Sequence, residues 1–174
     1  MSPRGRRGTG RSGRVHGVAE DLHQDKPFHS LAQEALLSLL RTSDIARRRF
    51  AKVLAAADVT FQQYNVLRIL RGAEPEGLPT LDIATRMIER TPGVTRILDR
   101  LERKGWVART RDTDDRRRVY CRITAEGLDL LASLDEPVNR TDDAIFDGMS
   151  HGDVRRLLGL LDQLRARLAE HADG

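Results

Sequence analysis

The chain has 174 residues, of which 39% are apolar and 32% charged, with one cysteine, Cys121. That excludes wholesale disorder, a disulfide framework and a cysteine-cluster metal site. No run of apolar residues is long enough to span a membrane, and the basic N-terminus lacks the apolar stretch of a secretory signal, so a cytoplasmic globular protein is expected.

The net charge is +4, unevenly placed. Residues 1–14 carry five Arg and no acid. Residues 15–59 balance, residues 60–124 carry fourteen basic and nine acidic groups, and residues 125–174 carry five basic and eleven acidic groups. A basic tail and a basic middle suit a polyanionic partner, and the acidic end does not.

Residues 1–27 are expected to form a flexible basic arm, rich in Gly, Ser and Arg at its start. The arm is either a solubilising tail or a segment that touches phosphates or the minor groove. Its match to G-x-G-x-x-G, Gly8 to Gly13, follows no strand and is not a dinucleotide fingerprint. Residues 30–57 hold neither Gly nor Pro, and Leu36, Leu39, Leu40, Ile45, Phe50, Val53 and Leu54 predict a long helix with a broad apolar face. Asp58 and Val59 break it. Thr60 and Gln63 form a capping box for a second helix that ends near Gly72. Residues 72–79, with two Gly and two Pro, predict a loop.

Thr80 is expected to cap a short third helix through Ile88, with the turn at Glu89, Arg90 and Thr91. Thr91-Pro92 reads as an N-cap followed by proline at the first helical position of a fourth helix, stopped by Gly105. Val94, Ile97, Leu98 and Leu101 make its buried stripe, and Thr95, Arg96, Asp99, Arg100 and Arg103 its outer face. Residues 106–111 and 118–123 read as strands joined by a polar turn, with Cys121 on the inward face. Thr124 caps a fifth helix that Pro137 interrupts or bends. Ser150 and Asp153 start the last helix, where Leu157, Leu161, Leu164 and Leu168 suit helix–helix packing.

Two short helices with a tight turn and a following hairpin make a winged helix-turn-helix, so the fold class is mainly α with a small β-hairpin wing. The second helix of such a unit enters the major groove with its N-terminal residues at base edges. Thr91, Pro92, Gly93, Thr95 and Arg96 stand there, and Arg96 suits a bidentate guanine contact. Arg100 is either a DNA contact or a solvated helix arginine. Arg116, Arg117 and Arg118, at the hairpin tip, suit phosphate or minor-groove contact. The five histidines are scattered without ligand spacing, and no nucleophile–base pair, metal set or phosphate loop points to an enzyme or a cofactor.

The runs Thr60-Phe61-Gln62-Gln63-Tyr64-Asn65-Val66-Leu67 and Thr91-Pro92-Gly93-Val94-Thr95-Arg96-Ile97-Leu98-Asp99-Arg100-Leu101, continuing to Val107, then Asp115-Arg116-Arg117 with Ile123-Thr124, resemble the MarR family of bacterial transcriptional regulators. The resemblance implies a homodimer joined by residues 28–59 and 125–174, with residues 60–124 as the DNA-binding unit. It implies a palindromic operator and a repressor released by a small phenolic or other anionic effector. It implies that Asp115 steadies the wing while Arg117 contacts DNA, and that the helix carrying Tyr64 borders the effector pocket; Tyr64 is then either a pocket residue or simply the staple partner of Val59. Two departures stand out: Cys121 replaces the usual Val of the wing strand, and no cysteine lies near the start of the first long helix. The rival reading is a protein-interaction or architectural module that binds DNA without sequence choice.

Overall fold

The computed structural model describes residues 17–89, 93–111 and 119–170. It divides into two units at Ile45/Ala46. In the first unit a short helix, α1 (Val18–Asp21), precedes the start of α2 (Leu31–Ala55). Arg41 Nη1 lies 3.6 Å from Asp44 there.

The second unit carries the core. The end of α2 is a Schellman turn: the Val59 N–H donates to Leu54 O at 3.2 Å and the Asp58 N–H to Ala55 O at 3.1 Å. Asp58 takes the left-handed position, φ 53°, which a short polar side chain tolerates better than most. Helix α3 (Phe61–Arg71) begins with the expected capping box. The Gln63 N–H donates to Thr60 Oγ1 at 3.2 Å, and the Thr60 N–H to Gln63 Oε1 at 3.0 Å. Thr60→Ala removes one of these bonds and is expected to cost about 1 kcal/mol, read in a urea unfolding series.

The 72–79 segment is not wholly a loop. Leu78–Pro79 forms a strand, β1, paired with β3 (Val119–Ile123), which also pairs with β2 (Val107–Arg111) in the antiparallel order β1-β3-β2. Leu78 faces Cys121 across one pair, and Arg109 faces it across the other. The two-residue strand escapes a sequence reading because its partner is about 40 residues away.

Helix α4 (Thr80–Arg86) starts at Thr80, with extended Pro79 in the cap position, so Thr80 does not cap it. Pairing with β3 keeps the chain extended through Pro79. The helix also stops short of Ile88, because Met87 leaves it with ψ 137°. Helix α5 (Val94–Arg103) starts later than Pro92: Gly93, φ 121°, is its cap and is not helical. Its end matches expectation, with Gly105 at φ 75° and the Trp106 N–H donating to Leu101 O at 3.0 Å.

Helix α6 (Ala125–Ile145) is capped by Thr124 and runs through Pro137 without interruption. Proline removes one N–H from the ladder, and Leu131, Leu134 and Val138, all buried, hold both sides of that point in the core. Helix α7 (His151–Glu170) begins where Asp153 N–H donates to Ser150 Oγ, 3.1 Å, and it contributes no buried residue. Leu54, Leu67, Leu70, Ile83, Leu98, Leu101, Cys121 and Leu131 are fully buried and join α2, α3, α4, α5, α6 and the sheet around one core. Among the described residues, no helix is long and apolar enough to cross a membrane.

Candidate DNA-binding site

Helix α5 has two faces of opposite chemistry. Val94, Leu98 and Leu101 are buried, while Thr95, Arg96, Arg100 and Arg103 are exposed. The apolar residues recur at i, i+4 and i+7, which fixes which side meets the core and so which side meets solvent. Gly93 sets the start. A Cβ there would meet nothing within 4 Å, so glycine is selected by its φ of 121° and not by crowding.

The two residues that follow Met87, Ile88 and Glu89, are held by side chains from earlier helices. Asn65, buried in α3, accepts the Ile88 N–H at 2.9 Å, which satisfies a backbone donor just past the end of α4. Glu89 accepts from Gln62 Nε2 at 3.4 Å and pairs with Arg47 of α2. At the far end of α5, Lys104 Nζ donates to both the carbonyl and the carboxylate of Asp58, each at 2.6 Å. Its ammonium also lies 4.5 Å from the Trp106 ring centre. The residues after α4 and the C-terminal end of α5 are thus each tied to the α2–α3 region.

On its sheet-facing side, α5 is tied to Arg109 of β2. Arg109 Nη1 donates to Asp99 Oδ1 at 2.6 Å and to Glu102 Oε2 at 3.3 Å, and Nη2 donates to Thr95 O at 3.2 Å. Partial burial opposes its charge, but the Asp99 bond and the charges of Asp99 and Glu102 outweigh that and hold the guanidinium above its ordinary range. Elsewhere, Arg122 Nε donates to Pro75 O at 3.1 Å and Nη1 to Thr110 Oγ1 at 2.9 Å, which ties the loop before β1 to the wing strands.

Gly93, Thr95, Arg96 and Arg100 therefore share the start and the exposed side of α5. Thr91, Pro92, Asp115, Arg116, Arg117 and Arg118 lie outside the described residues. Tyr64 stands apart, 4% exposed in α3. Burial raises its phenol above the usual range, against the opposing pull of Arg68, so it is a neutral donor near pH 7. A hollow of about 350 Å³ between α5 and the sheet is lined by Thr80, Thr95, Arg109, Thr110, Arg111 and Val119, and Tyr64 is not part of that lining.

Three positioning side chains are absent from the sequence reading: Asn65, Lys104 and Arg109. Asn65 carries a signal, since it interrupts the buried run Tyr64-Asn65-Val66-Leu67. Arg109 carries another, because strand alternation puts it on the inward side with Val107. Lys104 carries none, because its partner Asp58 is set by tertiary packing.

Comparison with known proteins gives a consistent answer. The MarR family profile matches residues 59–119. The HTH-type transcriptional regulator FarR of Neisseria gonorrhoeae is 34% identical over 147 residues, spanning 84% of this chain and 97% of that protein. The chain belongs to the MarR family. Among solved MarR structures, a transcription factor from Planctomyces limnophilus is 38% identical, with a TM-score of 0.61 over 79% of this chain and 99% of that one. The structure of NadR in complex with 4-hydroxyphenylacetate is 30% identical, with a TM-score of 0.64 over 80% and 97% of the two chains. The mostly helical build with a small antiparallel sheet is the winged-helix architecture of MarR proteins.

Proposed function

We propose that this MarR-family protein is a sequence-specific, double-stranded-DNA-binding transcriptional regulator that sits on a palindromic operator as a homodimer. The observation that carries this reading is the exposed Thr95, Arg96 and Arg100 face of α5, backed by a fully buried Leu98 and Leu101. A helix so held presents its polar side as a rigid unit of major-groove width. Gly93, Thr95 and Arg96 read bases there, with Thr91 and Pro92 beside them, and Arg100 follows one turn on. Arg116, Arg117 and Arg118 reach the backbone or minor groove, and Asp115 steadies the wing.

Homodimerisation is supported by α7, which contributes no fully buried residue and exposes Leu158, Leu160, Leu164 and Leu168. Two recognition helices would then meet half-sites roughly 34–36 Å apart. Release by a small anionic or phenolic effector is supported by NadR, whose structure holds 4-hydroxyphenylacetate. A repressor working in the cytoplasm, beside its operator, fits these features.

Selection of bound duplexes from a random pool, with and without 4-hydroxyphenylacetate, tests the reading. An inverted repeat should emerge, and the phenolic acid should weaken its binding. A pool that stays random replaces this reading with that of an architectural module. With the operator in hand, Arg96→Ala should lose about 1–3 kcal/mol of discrimination at one base pair. Arg117→Ala should weaken all duplexes alike and reduce the salt slope by about one.

A further inference from the structure

Three groups of α5 converge on one guanidinium. The Thr95 carbonyl and the Asp99 and Glu102 carboxylates lie at i, i+4 and i+7, on one side of the helix over two turns. Arg109 meets all three from β2, with its side chain 21% exposed. The strand beneath is itself fixed, since Arg109 pairs in register with Cys121, which is fully buried.

We propose that Arg109 is a positioning residue: it docks α5 on β2 at a set rotation and so supports sequence discrimination without itself contacting DNA. The inference rests on the DNA-binding reading above. The buried stripe sets which side of α5 meets the core, and polar contacts spread over two turns narrow the remaining rotation as a bond at one point does not. Arginine suits the task because its rigid planar fork holds Nη1 and Nη2 in fixed directions toward separated acceptors, whereas a lysine ammonium is a compact point charge on a flexible stem. The same contacts occupy Asp99 and Glu102, the two acids on a helix whose exposed face carries Arg96, Arg100 and Arg103. Left unpaired, those carboxylates would face a polyanion.

The test uses the full chain with Arg109→Lys and Asp99→Asn, each singly and both together. Affinities for the selected operator and for a scrambled duplex are measured across a salt series, and backbone hydrogen exchange of α5 is followed in the free protein. Arg109→Lys keeps the charge and loses the fork. It should lower the operator-to-scramble ratio at least tenfold, leave the salt slope unchanged and speed exchange along α5. Asp99→Asn should do the same in part. The double variant should be no worse than Arg109→Lys alone, because both remove one interaction.

A phosphate-contacting arginine behaves differently. Lysine would then substitute with the ratio kept, and Asp99→Asn would leave exchange unchanged. That pattern overturns the inference while the regulator reading stands. If the unmodified protein shows no preference among duplexes, the regulator reading itself falls. Unaltered α5 exchange in Arg109→Lys independently removes the docking role.

Discussion

Gly127→Ala is expected to destabilise the protein by about 1–3 kcal/mol, although alanine is the better helix former. Gly127 lies in the first turn of α6 and is buried. Helix propensity alone favours the change by roughly 1 kcal/mol. Packing reverses the sign. A Cβ at this position would stand 2.4 Å from the Trp106 carbonyl oxygen and 2.7 Å from Ile123 Cγ1. The first of these is backbone and is already engaged, accepting the Thr124 N–H at 3.1 Å. Thr124 also donates its hydroxyl to Gly105 O at 2.7 Å and accepts the Gly127 N–H at 3.1 Å. The methyl group would therefore push the start of α6 away from the end of α5 and strain this cap. Thermal melts should show a lower Tm, by roughly 2–4 °C per kcal/mol for a chain of this size. An unchanged or higher Tm would mean that α6 relaxes away from Trp106 without cost.

The double substitution Leu160→Glu, Leu164→Glu is expected to yield a folded monomer that has lost most operator affinity. The two leucines are 56% and 41% exposed, and α7 contributes no residue to the core. The unit built on α3, α4, α5 and the sheet should therefore keep its circular dichroism signal. Burying such side chains against a partner stabilises association by about 25 cal/mol per Å² of apolar area, and two glutamates per helix replace that gain with desolvation and like-charge repulsion. Light scattering should fall to the 19.6 kDa of one chain. Two linked recognition helices gain roughly 10²- to 10⁴-fold over one through effective concentration, and this factor should disappear. A variant that keeps its assembly state and its affinity would remove α7 from the dimer seam.

Much of the local structure is legible in the residues. Thr60 with Gln63, Thr124, Ser150 with Asp153, and Gly105 each mark a helix end where the expected bond or φ is found. These signals act within a few residues, so they survive in a linear reading. The misses share one cause. Thr80 is the first residue of α4 because β1 is drawn into pairing with a strand 40 residues on. Met87 leaves the helix next to Ile88, whose N–H is captured by Asn65. In both cases a distant partner overrode a local preference.

The exposed face of α5 follows from the sequence by itself, since a stripe at Val94, Leu98 and Leu101 permits only one side to be polar. So does the winged arrangement, because two short helices and a hairpin in that order leave few ways to share one core. What the tertiary structure alone decided is how the helix is held. Asp58 meets Lys104 across 46 residues, Asn65 meets Ile88 across 23, and Arg109 meets Thr95 across 14. Side-chain bonds of that range depend on relative placement to within an ångström, because a hydrogen bond tolerates little error in distance. Periodicity carries the direction a side chain faces but not the distance at which it finds a partner.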